Sequence, residues 1–343
     1  MSSRNGKNRS RSVVVVVCGL AAALAFSAGQ TSAKSKGIEV EIPYDAAVVK
    51  TPGISAPFYF NENGSALVVS DQAGGVYSVT FGGKVTPLAS KSAAKHPGGV
   101  AVAPAGFGSM GGQIFVLNAQ APGGPCEVDK IEGGGLTKFA DLPDAPGGKP
   151  NDCQDLEAGK GPFAGKLYAA TSANSAIYAI DSSGKATVFC ALDKPMQFDL
   201  TAIGFTSASD SKAPNSMLVG TRPRIPGVAR VGRIALVSAA GKLADDPYMV
   251  GFVEPTGFVL SPSSWGSYGD TFFISDMGKR ATASKADAVG ELYRVYKDVA
   301  REFATGLYNP TCMRFVGSKM VIADPAAKGA AGSGVLEVIT SML

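Results

Sequence analysis

One polar position recurs along the chain, each time at the head of a short apolar run. It is occupied in turn by Ser55, His96, Asp152, Asp199, Glu254 and Asn309. Carboxylates dominate the set, and His96 is the only histidine in the sequence. Carboxylates crowded together repel and lose solvation, so they take up protons or recruit a cation. Oxygen donors without thiolates favour Ca²⁺ over zinc. Asp152, Asp199, Glu254 and Asn309 are therefore expected to hold Ca²⁺. The plainer reading of the same residues is that Asp and Asn form turns and cap strand ends. His96 is expected to be the catalytic base or proton carrier near neutral pH. Its plainer reading is a hydrogen-bonded surface histidine.

A second polar position recurs at the far end of a neighbouring run: Asp71, Asn118, Ser172, Arg222, Asp276 and Asp324. Arg222, Arg224, Asp276 and Asp324 are expected to contact substrate. Arg230 and Arg233, then Lys279, Arg280 and Lys285, add cations to the loops that follow. Cations above an acidic floor suit an anionic or carbonyl-bearing small molecule. Solvated loop charge is the competing explanation.

These positions matter only if the chain brings them together, and its repeats imply that it does. The motif Gly64-Ser-Ala-Leu-Val-Val returns at Gly112, Gly165, Asn215, Gly269 and Gly317, spaced 48 to 54 residues apart. A run such as His96-Pro-Gly-Gly-Val-Ala-Val or Glu254-Pro-Thr-Gly-Phe-Val-Leu precedes each copy. Two further short runs follow most copies, as in Ala176-Ile-Tyr-Ala-Ile and Ala186-Thr-Val-Phe-Cys. Four short strands bounded by Gly, Pro, Asn or Asp, repeated about every 50 residues, predict a β-propeller. The fold class is all-β, with six four-stranded blades. The last unit stops at Leu343 without a fourth strand, so residues 38–44 are expected to supply the outer strand of the sixth blade. Inner strands line the axial channel in such a ring, which places both sets of polar residues around one mouth. Trp265, Tyr268 and Phe272 are expected to be packing residues at a turn of the fifth blade.

Composition limits the partners. Hydrophobic residues make up 45% of the chain and charged residues 17%, enough for a sizeable core. The net charge of +4 comes from Arg4, Lys7, Arg9 and Arg11. Without them the chain is neutral and has no footprint for nucleic acid. Those residues precede the apolar run Val13–Phe26, which is shorter than the ~20 residues a membrane span needs. Small residues up to Ala33 follow. Residues 1–33 thus read as a secretory signal peptide and 34–343 as one propeller domain. No stable membrane span is expected, and the protein is expected to be a secreted or periplasmic monomer. Of the cysteines beyond the leader, Cys126 and Cys153 fall on the same face of neighbouring units and are expected to form a disulfide. Cys190 and Cys312 are expected to be free and buried.

The run Pro255-Thr-Gly-Phe, the strand Phe272-Phe-Ile-Ser-Asp and the strand Gly290-Glu-Leu-Tyr-Arg-Val are echoed by Asn309-Pro-Thr and Val321-Ile-Ala-Asp. Together they resemble six-bladed propellers of the NHL-repeat and SMP-30/gluconolactonase-like superfamily. The resemblance implies a channel calcium held by inner-strand residues, here Glu254, Asn309, Asp199 and Asp152, and lactone or ester hydrolysis. This chain departs in blade one, with Ser55-Ala-Pro where those enzymes carry a glutamate. Two other readings stand beside the hydrolase. One is a non-catalytic binding or scaffolding propeller for a protein or glycan. The other is a relative of quinone-dependent sugar dehydrogenases, which share the fold.

Overall fold

In the computed structural model, the described residues are 38–41, 43–90, 93–192, 198–210, 212–224, 232–278, 290–296, 299–325 and 334–342. They form six antiparallel sheets. Blade one comprises Pro57–Asn63, Ala66–Asp71, Val76–Thr80 and Val85–Ala89, from the axis outward. Blade two comprises His96–Val102, Ile114–Ala119, Cys126–Glu132 and Gly135–Asp141. Blade three comprises Cys153–Ala158, Leu167–Thr171, Ala176–Ile180 and Ala186–Ala191. Blade four comprises Phe198–Phe205, Met217–Pro223, Gly232–Val237 and Met249–Phe252. Blade five comprises Pro255–Leu260, Phe272–Asp276, Gly290–Tyr296 and Val299–Leu307, and blade six begins with Cys312–Val316, Lys319–Asp324 and Val335–Ser341. Each inner strand touches the next, and that of blade six touches that of blade one, so the ring is closed.

The closure differs in detail from the expectation for residues 38–44. Tyr44–Val49, not the earlier residues, pairs with Val335–Ser341 and completes blade six. Glu39–Val40 instead adds a fifth strand to blade five, opposite Thr305 and Ala304. Pro43 explains the break: it donates no backbone hydrogen bond, and the chain turns there, with the Tyr44 N–H donating to the Glu41 carbonyl at 3.0 Å. The N-terminal segment therefore spans the seam between two blades. Tyr44 anchors it. Its hydroxyl donates to the Trp265 carbonyl at 3.1 Å and accepts from the Tyr268 N–H at 3.0 Å. Trp265 is fully buried among Phe273, Phe303 and Phe315, in the packing role expected of it.

The core lies between adjacent blades, where alternating apolar side chains of facing sheets meet. At the axis the backbones approach more closely. A Cβ at Gly99 would collide with the backbone of Asp155 and Leu156 in the next blade, so only glycine fits there. Among the described residues no helix is long and apolar enough to cross a membrane. Residues 1–33, expected to be a signal peptide, lie outside the described residues, as do Arg230, Lys279, Arg280 and Lys285.

Candidate functional site at the channel mouth

The loops entering the inner strands converge on an axial cavity of about 810 Å³. Its lining includes His96, Asp152, Glu254, Asn309 and Arg222, so five of the residues singled out by repeat register share one wall-to-wall space. His96 is exposed, and its imidazole has no hydrogen bond among the described residues. Asp152 is likewise exposed, with no hydrogen bond or ion pair to its carboxylate among them, and its backbone sits at φ 62°.

Asp199 and Glu254 are differently placed. Arg222 Nε donates to Asp199 Oδ2 at 3.0 Å and its Nη1 to Glu254 Oε1 at 2.5 Å. Arg224 Nε pairs with Asp199 as well, and its Nη2 donates to the Ala173 carbonyl of blade three at 2.9 Å. One pair of guanidinium groups thus ties blades three, four and five together at the mouth. Burial lowers the proton affinity of Arg222, but Glu254 and Asp199 outweigh it and the net shift is upward. Only Nη2 of Arg222 lacks a hydrogen bond among the described residues, leaving it as a donor for a ligand.

This pairing bears on the expected calcium. Two of the three carboxylates that were to recruit a cation, Asp199 and Glu254, already have one, supplied by the protein. Among the described residues no three His, Cys, Asp or Glu side chains are grouped so as to hold a metal ion. A Ca²⁺ held by all four expected ligands would have to displace Arg222 from both Asp199 and Glu254.

Asp276 and Asp324, expected to touch substrate, are buried and are not among the cavity-lining residues. They serve the loops instead. Asp276 accepts from the N–H groups of Val253 (2.9 Å) and Glu254 (2.7 Å). Asp324 accepts from Tyr308 (2.8 Å) and Asn309 (2.9 Å). Asp71 holds Ser55 and Ala56 in the same way, and Asn118 holds Lys95 and His96. Four of the six second-ring residues are therefore clasps on the first ring. Burial raises the Asp276 carboxyl above its ordinary value, opposed by the N–H groups it accepts from.

Sequence reasoning missed the threonines. Thr256 Oγ1 donates to the Pro310 carbonyl of the next blade at 2.7 Å, Thr311 makes the same bond to Phe58, and Thr201 to Pro255. All three line the cavity with Phe58, Tyr59, Gln72, Gln154, Met277 and Tyr308. Their signal was a threonine two residues after Asp199, Glu254 and Asn309, preceded by proline in the last two runs.

The expected disulfide is present: Cys126 and Cys153 are bonded across blades two and three, with Cα atoms 5.7 Å apart. Cys190 and Cys312 are free and buried. Below the cavity, Arg314 of blade six pairs with Glu157 of blade three and lies 3.8 Å from Asp155.

No family model matches the chain, and no curated protein matches it. Solved structures do share its fold. A putative oxidoreductase (glucose dehydrogenase) from Thermus thermophilus is 13% identical, over 86% of this chain and 99% of that one, with a TM-score of 0.57. The PQQ-bound aldose sugar dehydrogenase of Streptomyces coelicolor is 11% identical over 88% and 99%, with a TM-score of 0.57. A catalytically inactive virginiamycin B lyase from Staphylococcus aureus, solved with quinupristin, is 12% identical over 87% and 99%, with a TM-score of 0.53. These likenesses establish the propeller fold and nothing finer.

Proposed function

We propose that this chain is an exported propeller whose axial cavity binds a small, hydroxyl-rich, carbonyl-bearing molecule of the sugar or sugar-lactone class and hydrolyses it. The supporting observation is the lining itself. One space of about 810 Å³ gathers an unengaged imidazole, an arginine with a spare N–H, acids, amides, hydroxyls and the aromatic faces of Phe58, Tyr59 and Tyr308. That volume suits a small ligand, and a mixed aromatic and hydroxyl-bonding wall suits a sugar ring. The disulfide fits an oxidising compartment.

In this reading His96 takes a proton from water as the water oxygen attacks the lactone carbonyl. Arg222 Nη2 donates to the oxygen on which charge develops. The proton then passes to the departing ring oxygen. A second reading is a quinone-dependent sugar dehydrogenase, supported by the fold neighbours of that kind; a multiply anionic quinone would have to share Arg222, the cation among the described lining residues, with Asp199 and Glu254.

The test is a panel of aldoses and aldonolactones scored by thermal shift and by acid release. A lactone should raise the melting temperature and be turned over, and His96→Ala should abolish turnover while leaving the lactone-induced shift. Binding without turnover in the native chain would favour a binding propeller, and no binding by any panel member would overturn the reading.

A further inference from the structure

In blade three the clasp used in blades one, two, five and six is missing at both ends. The second-ring position holds Ser172, whose hydroxyl is buried without a hydrogen-bond partner. Register pairs Cys153 with Thr171, so the backbone donors corresponding to those clasped in blades one, two and five belong to residues 150 and 151. Residue 150 is a proline and has no N–H. The Asn151 N–H donates locally to the Lys149 carbonyl at 2.8 Å. The loop carrying Asp152 therefore lacks the Asp or Asn side chain that fixes the mouth loops of blades one, two, five and six.

The Cys126–Cys153 bond sits at this place. Cys126 begins the third strand of blade two, and its N–H donates to the Pro150 carbonyl at 2.6 Å. Pro125 bridges to Asn151 beside it. On the other side, Ser172 N–H donates to the Asp152 carbonyl at 2.9 Å, and Ala173 N–H to the Asn151 carbonyl at 3.1 Å. Asp152 is held here in the left-handed region, which favours glycine. Its carboxylate lines the cavity.

We propose that the Cys126–Cys153 disulfide is a thiol-responsive substitute for the missing clasp, making Asp152 a redox-positioned contact for the cavity's ligand. A dithiol reductant delivers two electrons and two protons to the bond. Cys126 and Cys153 become thiols, and the reductant is oxidised to its own disulfide. The Asp152 loop then relaxes out of its strained conformation, while the mouth loops held by Asp71, Asn118, Asp276 and Asp324 stay in place. The ligand contact rests on the functional reading above; the loop release does not.

Amide hydrogen exchange on the full chain, with and without dithiothreitol, tests the release. Reduction should speed exchange at Cys126, Ser172 and Ala173 by about tenfold or more, with Val253, Glu254, Tyr308 and Asn309 unchanged. The Cys126→Ser/Cys153→Ser variant should reproduce this without reductant. Unchanged exchange at the three amides, or equal acceleration at all seven, overturns the clasp. For the ligand contact, binding of D-glucono-1,5-lactone is compared in the native chain and in Asp152→Asn, oxidised and reduced. Reduction should weaken binding in the native chain and have little effect in the variant. Equal weakening in both overturns the role of Asp152. Absence of lactone binding would count against the functional reading, and the exchange comparison would still decide the clasp.

Discussion

Arg314, on the inner strand of blade six, reaches Glu157 on the inner strand of blade three, the blade opposite it in the ring. The pair crosses the axis beneath the cavity, with Asp155 alongside. Asp155 also accepts from the N–H groups of Ile203 and Leu156, both at 2.9 Å. Burial pushes the Asp155 carboxyl up and the Arg314 guanidinium down, and each opposes the other's shift. Removing one partner leaves buried charge uncompensated. Arg314→Met should lower unfolding free energy by about 3–5 kcal/mol, measured by urea titration. Arg314→Met/Glu157→Gln should regain a large part of the loss. If the double variant is no more stable than the single one, the crossing pair is not what the arginine serves.

The Arg222 network makes a second outcome specific. With Asp199 and Glu254 already paired, Ca²⁺ or EDTA should move the melting temperature of the native chain by less than about 1 °C, since a ligand that does not bind the folded state does not stabilise it. Arg222→Met removes the cation shared by the two acids. That variant should melt lower, and millimolar Ca²⁺ should raise it again. A native chain stabilised by Ca²⁺ would show that the metal displaces the guanidinium after all.

Glu337, on the third strand of blade six, carries a pH dependence. Burial is the main cause raising its carboxyl from 4.5 to about 7, and nearby Asp324 adds to it. One of its oxygens is buried without a hydrogen-bond partner. The folded state therefore holds this proton more tightly than the unfolded state. Stability falls as pH rises from about 4.5 to about 7 and is level, for this group, above that. Glu337→Gln should raise unfolding free energy by on the order of 2 kcal/mol at pH 8 and little at pH 4. Equal gains at both pH values would place the benefit elsewhere than in ionisation.

The seam offers a fourth test. Tyr44→Phe keeps the ring contacts with Trp265, Tyr268 and Phe303 but loses both hydrogen bonds of the hydroxyl. The Tyr268 N–H then keeps only its longer bond, 3.3 Å to the Trp265 carbonyl. The expected cost is about 1–3 kcal/mol, with exchange at Glu39 and Val40 accelerated before that of blade one. Uniform acceleration would mean that the tyrosine supports the whole ring rather than its joint.

The repeat register was legible because each unit obeys the same local rules: glycine at the turn, alternating apolar residues, a polar residue at the mouth. That was sufficient to place His96, Asp152, Glu254 and Asn309 in one cavity. It did not separate the two rings by role. Asp276 and Arg222 occupy equivalent positions, but a carboxylate accepts from the backbone behind it, whereas a long guanidinium reaches forward to acids. Side-chain length and donor sense decide this, and spacing carries neither. Nor did spacing reveal that Asp199 and Glu254 pair with Arg222, since only the fold shows which opposite charges meet. Pro43 carried the signal that the N-terminal run would break in two.

The seam also constrains how the molecule is made. Tyr44 pairs with Ser341, almost the whole chain apart. An early strand, Tyr44–Val49, thus has its partner among the last described ones, Val335–Ser341. Blades one to four can each form as their own residues appear, but blade six cannot be completed until Val335–Ser341 has been made. Until then Tyr44–Val49 presents a bare edge to whatever it meets, which makes ring closure the slow and aggregation-exposed step of biogenesis.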